Sequence, residues 1–538
     1  MNASKILPAM ALVLAGTLGM QLPARADSGP AEGCAKGSEK LSFGDRFVDT
    51  YKDYLKWDGD PADTPQSWRK GLQPPMESSP PMPFGYVPIG GTEVIGYENM
   101  YYGAFMDAVY CGPNGQAWKD SRVTMYGWIA PGGNISTSKS KYNFTSGTGG
   151  NWPAAYAYAP NTIQLDQLAL YFERTPDEVQ KDHMDWGFRL ASVFGTDYKY
   201  TFSKGVLSDQ YTKQKARMGF DEVMAYGEIY FPNIGEGMNL RIGRYISIPD
   251  IEAQLAPNNY NYSHSLLYSF DPYTQEGIVA TWKLNKNWQL QTEVSVGNDV
   301  AFWYHPTDPL TGNKLGAQFT PAACLQWMSD SGNDVLYPCI NGDAKTIGNK
   351  GNWGWNNLQH DVMTWYHKFN DQWHISSEYW YMYQNNVPNI GNAQGLANYL
   401  ASPLVSAPEI KIGAPFGALC DNPNAVTCKA REWAFVNYLV YQPTPRDFVS
   451  LRTGFFDDKN GQRTGFKTHY QELVLGWNHW IGKAITIRPE LRWEHASDVP
   501  AYDNPTICNG ITPQSNANCA GTGKNTQVMF AMDVIVHF

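Results

Sequence analysis

The chain has 538 residues, of which 14% are aromatic and only 17% charged, with 33 Tyr and 19 Trp, yet its mean hydropathy is negative. A formal net charge of −10 and the lack of any Lys/Arg cluster exclude the basic footprint of a nucleic-acid-binding protein. The length exceeds one ordinary soluble core and suits several domains or one large barrel built of strands with one apolar and one wet side.

At the N-terminus, Lys5 precedes the apolar run "ILPAMALVLAGTLGM", then Pro23 and the small-x-small site at Ala24 and Ala26. Residues 1–26 therefore read as a signal peptide for export, because the run is short of the ~20 residues of a membrane-spanning helix. Residues 27–120 form a second region, expected in the periplasm and only partly helical. Its "LQPPMESSPPMPFGYVPIGG" is extended or turn-rich. In "FGDRFVDTYKDYLKWDG", Phe43, Phe47, Tyr51 and Leu55 recur at i+4 and predict an amphipathic helix. "MYYGAFMDAVYCG" fits helix or strand equally.

From residue 121 to 538 apolar and polar residues alternate. Fourteen segments carry this period of two: 121–131, 162–174, 184–195, 222–231, 238–246, 275–284, 287–297, 357–369, 372–383, 431–441, 446–457, 468–480, 484–495 and 525–538. If "YYGAFMDAVY" or part of 245–270 also forms strands, the number becomes sixteen. Short links such as "NKN", "ND" and "IGK" alternate with long ones, up to 298–356. That sorting predicts an all-β, transmembrane antiparallel barrel with short turns at one end and long loops at the other. Closure is required because every backbone N–H and C=O in lipid needs an internal partner.

The faces agree. In "AITIRPELRWEHA", Ile485, Ile487, Leu491 and Trp493 alternate with Arg488, Glu490, Arg492 and Glu494. In "NWQLQTEVSVG" the wet face is Gln289, Gln291, Glu293 and Ser295, and in "QWHISSEYWYMY" it is His374, Ser376 and Glu378. "EWAFVNYLVY" is apolar on both faces and leaves its orientation open. Trp282, Trp288, Trp373 and Trp480 flank short turns, as an interfacial girdle would. In "QVMFAMDVIVHF", Val528 to Phe538 on alternate positions should face lipid, with Asp533 and His537 facing the lumen.

Eight cysteines in an exported chain predict disulfides. Cys324 and Cys339, Cys420 and Cys428, and Cys508 and Cys519 are close pairs lying in connections, leaving Cys34 and Cys111. Zinc is disfavoured, since there is no C-x-x-C. No nucleophile elbow, zincin helix, P-loop or dinucleotide fingerprint is present, so neither catalysis nor a cofactor is expected. His360, His367 and His374 read as a polar face rather than a metal cluster. The competing readings are an exported soluble β-rich glycan-binding protein or enzyme, and a barrel-embedded enzyme.

Three stretches resemble the OmpL-like β-barrel porins: "SPPMPFGYVPIGGT" at 79–92, "YGWI" at 126–129, and "IGRY" at 242–245 before the link 247–274. The resemblance covers most of 75–300 and afterwards only the final Phe538. It implies passive diffusion of small hydrophilic solutes through a monomeric or homotrimeric outer-membrane pore. In porins broadly the third long loop folds into the lumen, which here would be 247–274. Its Asp250 and Glu252 would then face basic wall residues, with Arg452, Arg488 and Arg492 as candidates and Glu490 and Glu494 interleaved. Arg241 and Arg244, around Gly243, precede the loop. The terminal Phe538 resembles the signal read by the barrel-assembly machinery.

Overall fold

The computed structural model describes residues 33–57, 103–142, 149–214, 216–246, 250–307, 312, 314–331, 333–342, 353, 358–370, 372–402, 417–444, 446–504 and 523–538. The alternating segments become strands β1 (Val123–Ser136), β2 (Ile163–Arg174), β3 (Asp185–Gly195), β4 (Gly219–Phe231), β5 (Met238–Ile246), β6 (Thr274–Lys283), β7 (Trp288–Asn298), β8 (Thr320–Met328), β9 (Asp334–Asn341), β10 (Gln359–Lys368), β11 (Trp373–Pro388), β12 (Thr427–Thr444), β13 (Asp447–Asp458), β14 (Thr468–Ile481), β15 (Ile485–Ala496) and β16 (Thr526–His537). Each pairs antiparallel with its neighbours in sequence, and β16 pairs with β1, so the sheet closes. Closure satisfies the strand edges that lipid could not.

The barrel thus has sixteen strands among the described residues, two more than the fourteen read from alternation. The extra pair comes neither from "YYGAFMDAVY", whose core is a helix, nor from 245–270. It is the hairpin β8–β9, inside what reads as one long link. Both strands are short and carry a proline, Pro321 or Pro338, which argues against a strand on sequence alone. Cys324 and Cys339 face one another across this hairpin and are bridged, so they lie in strands and not in a connection.

Pleating fixes the faces. Across the register, Leu451, Leu475, Leu491, Phe530 and Ile135 form one outward rung over five strands. All are exposed in the isolated chain, Leu475 and Leu491 at 54%. A contiguous apolar band of this kind needs a nonaqueous neighbour. Trp288 and Trp373 point outward at the short-turn end, at 39% and 38%. Trp480 does not join them: it is buried and stacks on His537 at 4.8 Å. In β12 the inward residues are Ala430, Glu432, Ala434, Val436, Tyr438 and Val440, which settles that strand's orientation. No helix among the described residues is long and apolar enough to cross a membrane.

The N-terminal region contributes α1 (Phe43–Lys56), α2 (Ala104–Tyr110) and α3 (Gly115–Ser121). Ser42 caps α1, its Oγ accepting from Asp45 N at 3.2 Å. The helices sit at the barrel end that carries the short turns. Lys483 N, in the β14–β15 turn, donates to Tyr54 O at 2.9 Å. Tyr54 Oη donates to Asp107 Oδ2 at 2.6 Å. Burial pushes the Asp107 carboxyl up, against the pull of this hydrogen bond and of Lys483. Gly482, at φ 59°, is required here twice over, because a Cβ would lie 1.9 Å from Tyr54 O.

Cys34–Cys111 and Cys420–Cys428 are also bridged, and Cys428 lies in β12 and not in a connection. Residues 1–26, the Pro-rich stretch 79–92, Cys508 and Cys519 lie outside the described residues. The Cys34–Cys111 bridge closes a loop of 77 residues, which limits the unfolded chain by about 4–5 kcal/mol in the chain-entropy picture. Non-reducing peptide mapping is expected to recover these three links. Reduction is expected to expose α1 to protease while the barrel keeps its heat-modifiable gel mobility; protection of α1 unchanged by reduction would contradict this docking.

Candidate functional site: a loop held inside the barrel

The link between β5 and β6 does not leave the barrel. Its residues 250–273 are all buried, including Asp250, Glu252, Asn259, Asn261, Ser263 and His264. A polar segment cannot be buried without partners, and the inward faces of strands far away in sequence supply them.

Three arginines do most of this. Arg488, on β15, donates from Nε and Nη2 to Asp533 of β16 at 2.9 and 2.5 Å, and from Nη1 to Ala256 O and Asn259 O at 2.6 and 2.8 Å. Arg492, four residues on along the same strand, donates from Nη1 to His264 O at 2.7 Å and Ser263 Oγ at 3.0 Å, while Nη2 meets Glu494 at 2.6 Å and Glu472 at 3.1 Å. Arg452, on β13, donates from Nη1 to Ser263 O at 2.5 Å and from Nη2 to Ser263 Oγ at 3.1 Å. It also pairs with Glu252 at 3.5 Å and Glu472 at 3.3 Å. The planar fork suits this double duty, binding a carboxylate with one edge and carbonyls with the other.

Other wall groups complete the seat. Tyr438 Oη donates to Glu252 Oε1 at 2.5 Å, and Ser265 Oγ donates to the same carboxylate. Ser263 N donates to Glu490 Oε2 at 3.1 Å, and Ile251 N to Glu378 Oε2 at 2.7 Å. Gln167, on β2, donates to Gln254 O at 2.8 Å and accepts from Ala256 N at 3.0 Å. The loop therefore reaches from β5 and β6 to β2 and to β11–β16.

The wall is cut back where the loop lies. Gly476 lies on the same inward row as Glu490 and Ala531. A Cβ there would sit 2.1 Å from Asn261 Oδ1, and one on Gly132 would sit 2.6 Å from the Tyr262 ring. Gly476→Leu is expected to push Asn261 off the wall and raise single-channel conductance. An unchanged conductance with an intact barrel would contradict the seating of the loop.

The sequence candidates are thus brought together unevenly. Glu252, Arg452, Arg488, Glu490, Arg492 and Glu494 form one network. Asp250 does not face a wall arginine; it lies against Asp271 and Glu378. Arg241 and Arg244 belong to another part of the wall, Arg241 with Glu228 at 3.4 Å and Arg244 with Asp221 at 3.1 Å. Three residues apart, they would face opposite ways in a regular strand, yet both are buried. Sequence reasoning missed Glu472 and Tyr438. Glu472 is legible from parity, as it pairs directly with Glu494 on the inward face; Tyr438 was hidden in a strand apolar on both sides.

A family model described as "Putative beta-barrel porin-2, OmpL-like" matches residues 122–538. No curated protein matches the chain. Among solved structures, the chain is 9% identical to an anion-selective porin from Comamonas acidovorans, with 77% of this chain and 99% of that one covered and a TM-score of 0.46. It is 12% identical to the outer membrane channel DcaP of Acinetobacter baumannii, covering 77% and 97%, with a TM-score of 0.43. The family match includes the second half of the barrel, where the sequence resemblance rests on Phe538 alone, and it begins after the Pro-rich 79–92. Because it runs from the start of β1 to the end of β16, the chain belongs to the OmpL-like β-barrel porin family of outer-membrane proteins.

Proposed function

We propose that this porin allows passive diffusion of small hydrophilic solutes through its lumen, with loop 247–274 as the constriction. The observation that carries this reading is the burial of residues 250–273 inside the barrel, tied to the wall by Arg452, Arg488 and Arg492. These arginines spend their donors on loop carbonyls and wall carboxylates. Their role is then to hold the constriction's position, and the charge that solutes meet is set by the balance they leave. Glu490 and Glu494 keep that wall from being uniformly basic, and Arg241 and Arg244 line it further round. The solute-facing work is done by shape and charge, with no bond made or broken.

In the same reading, residues 1–26 direct export, α1 to α3 lie on the periplasmic side, and β16 with Phe538 is recognised by the assembly machinery. The pore is monomeric or homotrimeric. Liposome swelling tests the function. Liposomes holding the purified chain are expected to swell in isosmotic amino acids and monosaccharides, at rates that fall with solute size. Folded protein that gives no swelling with any of these would reject the proposal.

A further inference from the structure

The arginine network holds one side of the loop. The other side meets β11 through three acids, and no role in solute passage accounts for them. Asp250 and Asp271 stand at opposite ends of the loop, and Glu378 points inward from β11. One carboxylate oxygen from each comes within 4.8 Å of the others. All three residues are buried, at 6%, 1% and 1% exposed.

These acids differ from their neighbours. Glu252, Glu494 and Asp533 each hold an arginine within 4.0 Å. Among the described residues no Lys or Arg forms an ion pair with Asp250 or Glu378. Asp250 Oδ1 and Glu378 Oε1 are buried and meet no donor outside the three acids themselves. Glu378 is nonetheless fixed, since its Oε2 accepts from Ile251 N at 2.7 Å. A buried carboxylate with one oxygen anchored and the other facing only further acids is costly unless a positive charge reaches it.

We propose that Asp250, Asp271 and Glu378 bind one divalent cation of the calcium class, which fastens both ends of the loop to β11. Hard cations take carboxylate oxygens at about 2.3–2.6 Å, so the oxygens round one ion lie within ~5.2 Å of one another, and the three here all lie within 4.8 Å. Three carboxylates exceed the ion's charge, as suits a site otherwise completed by neutral oxygens. With the ion in place the loop is gripped on both sides, by arginines from β13 and β15 and by the cation at β11. The inference goes beyond solute passage and does not depend on which solutes pass.

The test is calcium binding by the full chain, refolded in detergent free of lipopolysaccharide, stripped with EDTA and titrated calorimetrically with CaCl2. One ion per chain is expected, with affinity at least ~10-fold weaker in Asp250→Asn and in Glu378→Gln, each checked for a heat-modifiable barrel. If a variant fails to fold, wild type still decides: terbium luminescence sensitised by the lumen's tyrosines should appear and be displaced by calcium. Proton sharing among the three carboxyls would instead give no calcium heat and no displaceable terbium signal. That result, or equal binding by wild type and both folded variants, would overturn the proposal.

Discussion

Arg452→Gln combined with Arg492→Gln is expected to free the loop from the wall, raise single-channel conductance several-fold and shift ion selectivity toward cations. The two guanidinium groups converge on Ser263 and Glu472 and so tie β13 and β15 to the loop at one point. Removing one partner of a buried ion pair costs about 3–5 kcal/mol, chiefly because the remaining charge stays buried. Each tenfold change in an equilibrium takes about 1.4 kcal/mol, so the equilibrium constant for docking the loop should fall by about two orders of magnitude or more. The two losses will not add simply, because the residues share partners. Glu252, Glu472, Glu490 and Glu494 would remain while two positive charges leave. The reversal potential in a salt gradient should therefore move in the cation-selective direction. Unaltered conductance and reversal potential in a folded double variant would mean that these arginines do not position the constriction.

Deleting Phe538 is expected to reduce assembled barrel strongly while leaving the conductance of the remaining channels unchanged. Its backbone closes the seam: Phe538 N donates to Gly127 O at 2.9 Å and Gly127 N to Phe538 O at 3.1 Å. The ring lies over Gly127, where a Cβ would come 2.8 Å from it. Two hydrogen bonds at ~0.5–1.5 kcal/mol each, with part of the ~1.5–3 kcal/mol of full aromatic burial, are lost from the seam. The loop and its arginines are untouched by the deletion. Equal outer-membrane levels of truncated and intact chains would contradict this, as would a changed conductance per channel.

Much of the barrel is legible in the sequence, because a membrane strand must present one apolar face and the register can hardly slip. Ile485 to Glu494 reads correctly residue by residue, and so does Asp533 in β16. The hairpin β8–β9 is not legible: its strands have nine and eight residues, each with a proline, and Leu325 and Ile340 are the main outward apolar residues. Trp480 looks like a girdle residue by position, but lies one pleat inward. The loop was legible as a long polar link beside "IGRY", and its entry into the lumen came from family resemblance. Which acids meet arginines was not legible. Glu252 and Asp250 are two residues apart in an irregular segment, where no periodicity assigns faces. One reached Arg452 and the other Glu378, a choice made by strands more than 120 residues away.

If loop 247–274 limits passage through the outer-membrane barrel, removing it should widen the channel. The most direct test is single-channel recording in planar bilayers, comparing the intact chain with one in which Glu252–Tyr268 is replaced by a short Gly/Ser link. Both must show the heat-modifiable mobility of a closed barrel. The expected result is discrete, stable steps from the intact chain and markedly larger steps from the loop-shortened one, with weaker ion selectivity. Steps of equal size from the two chains, or none from either, would contradict a constriction formed by this loop.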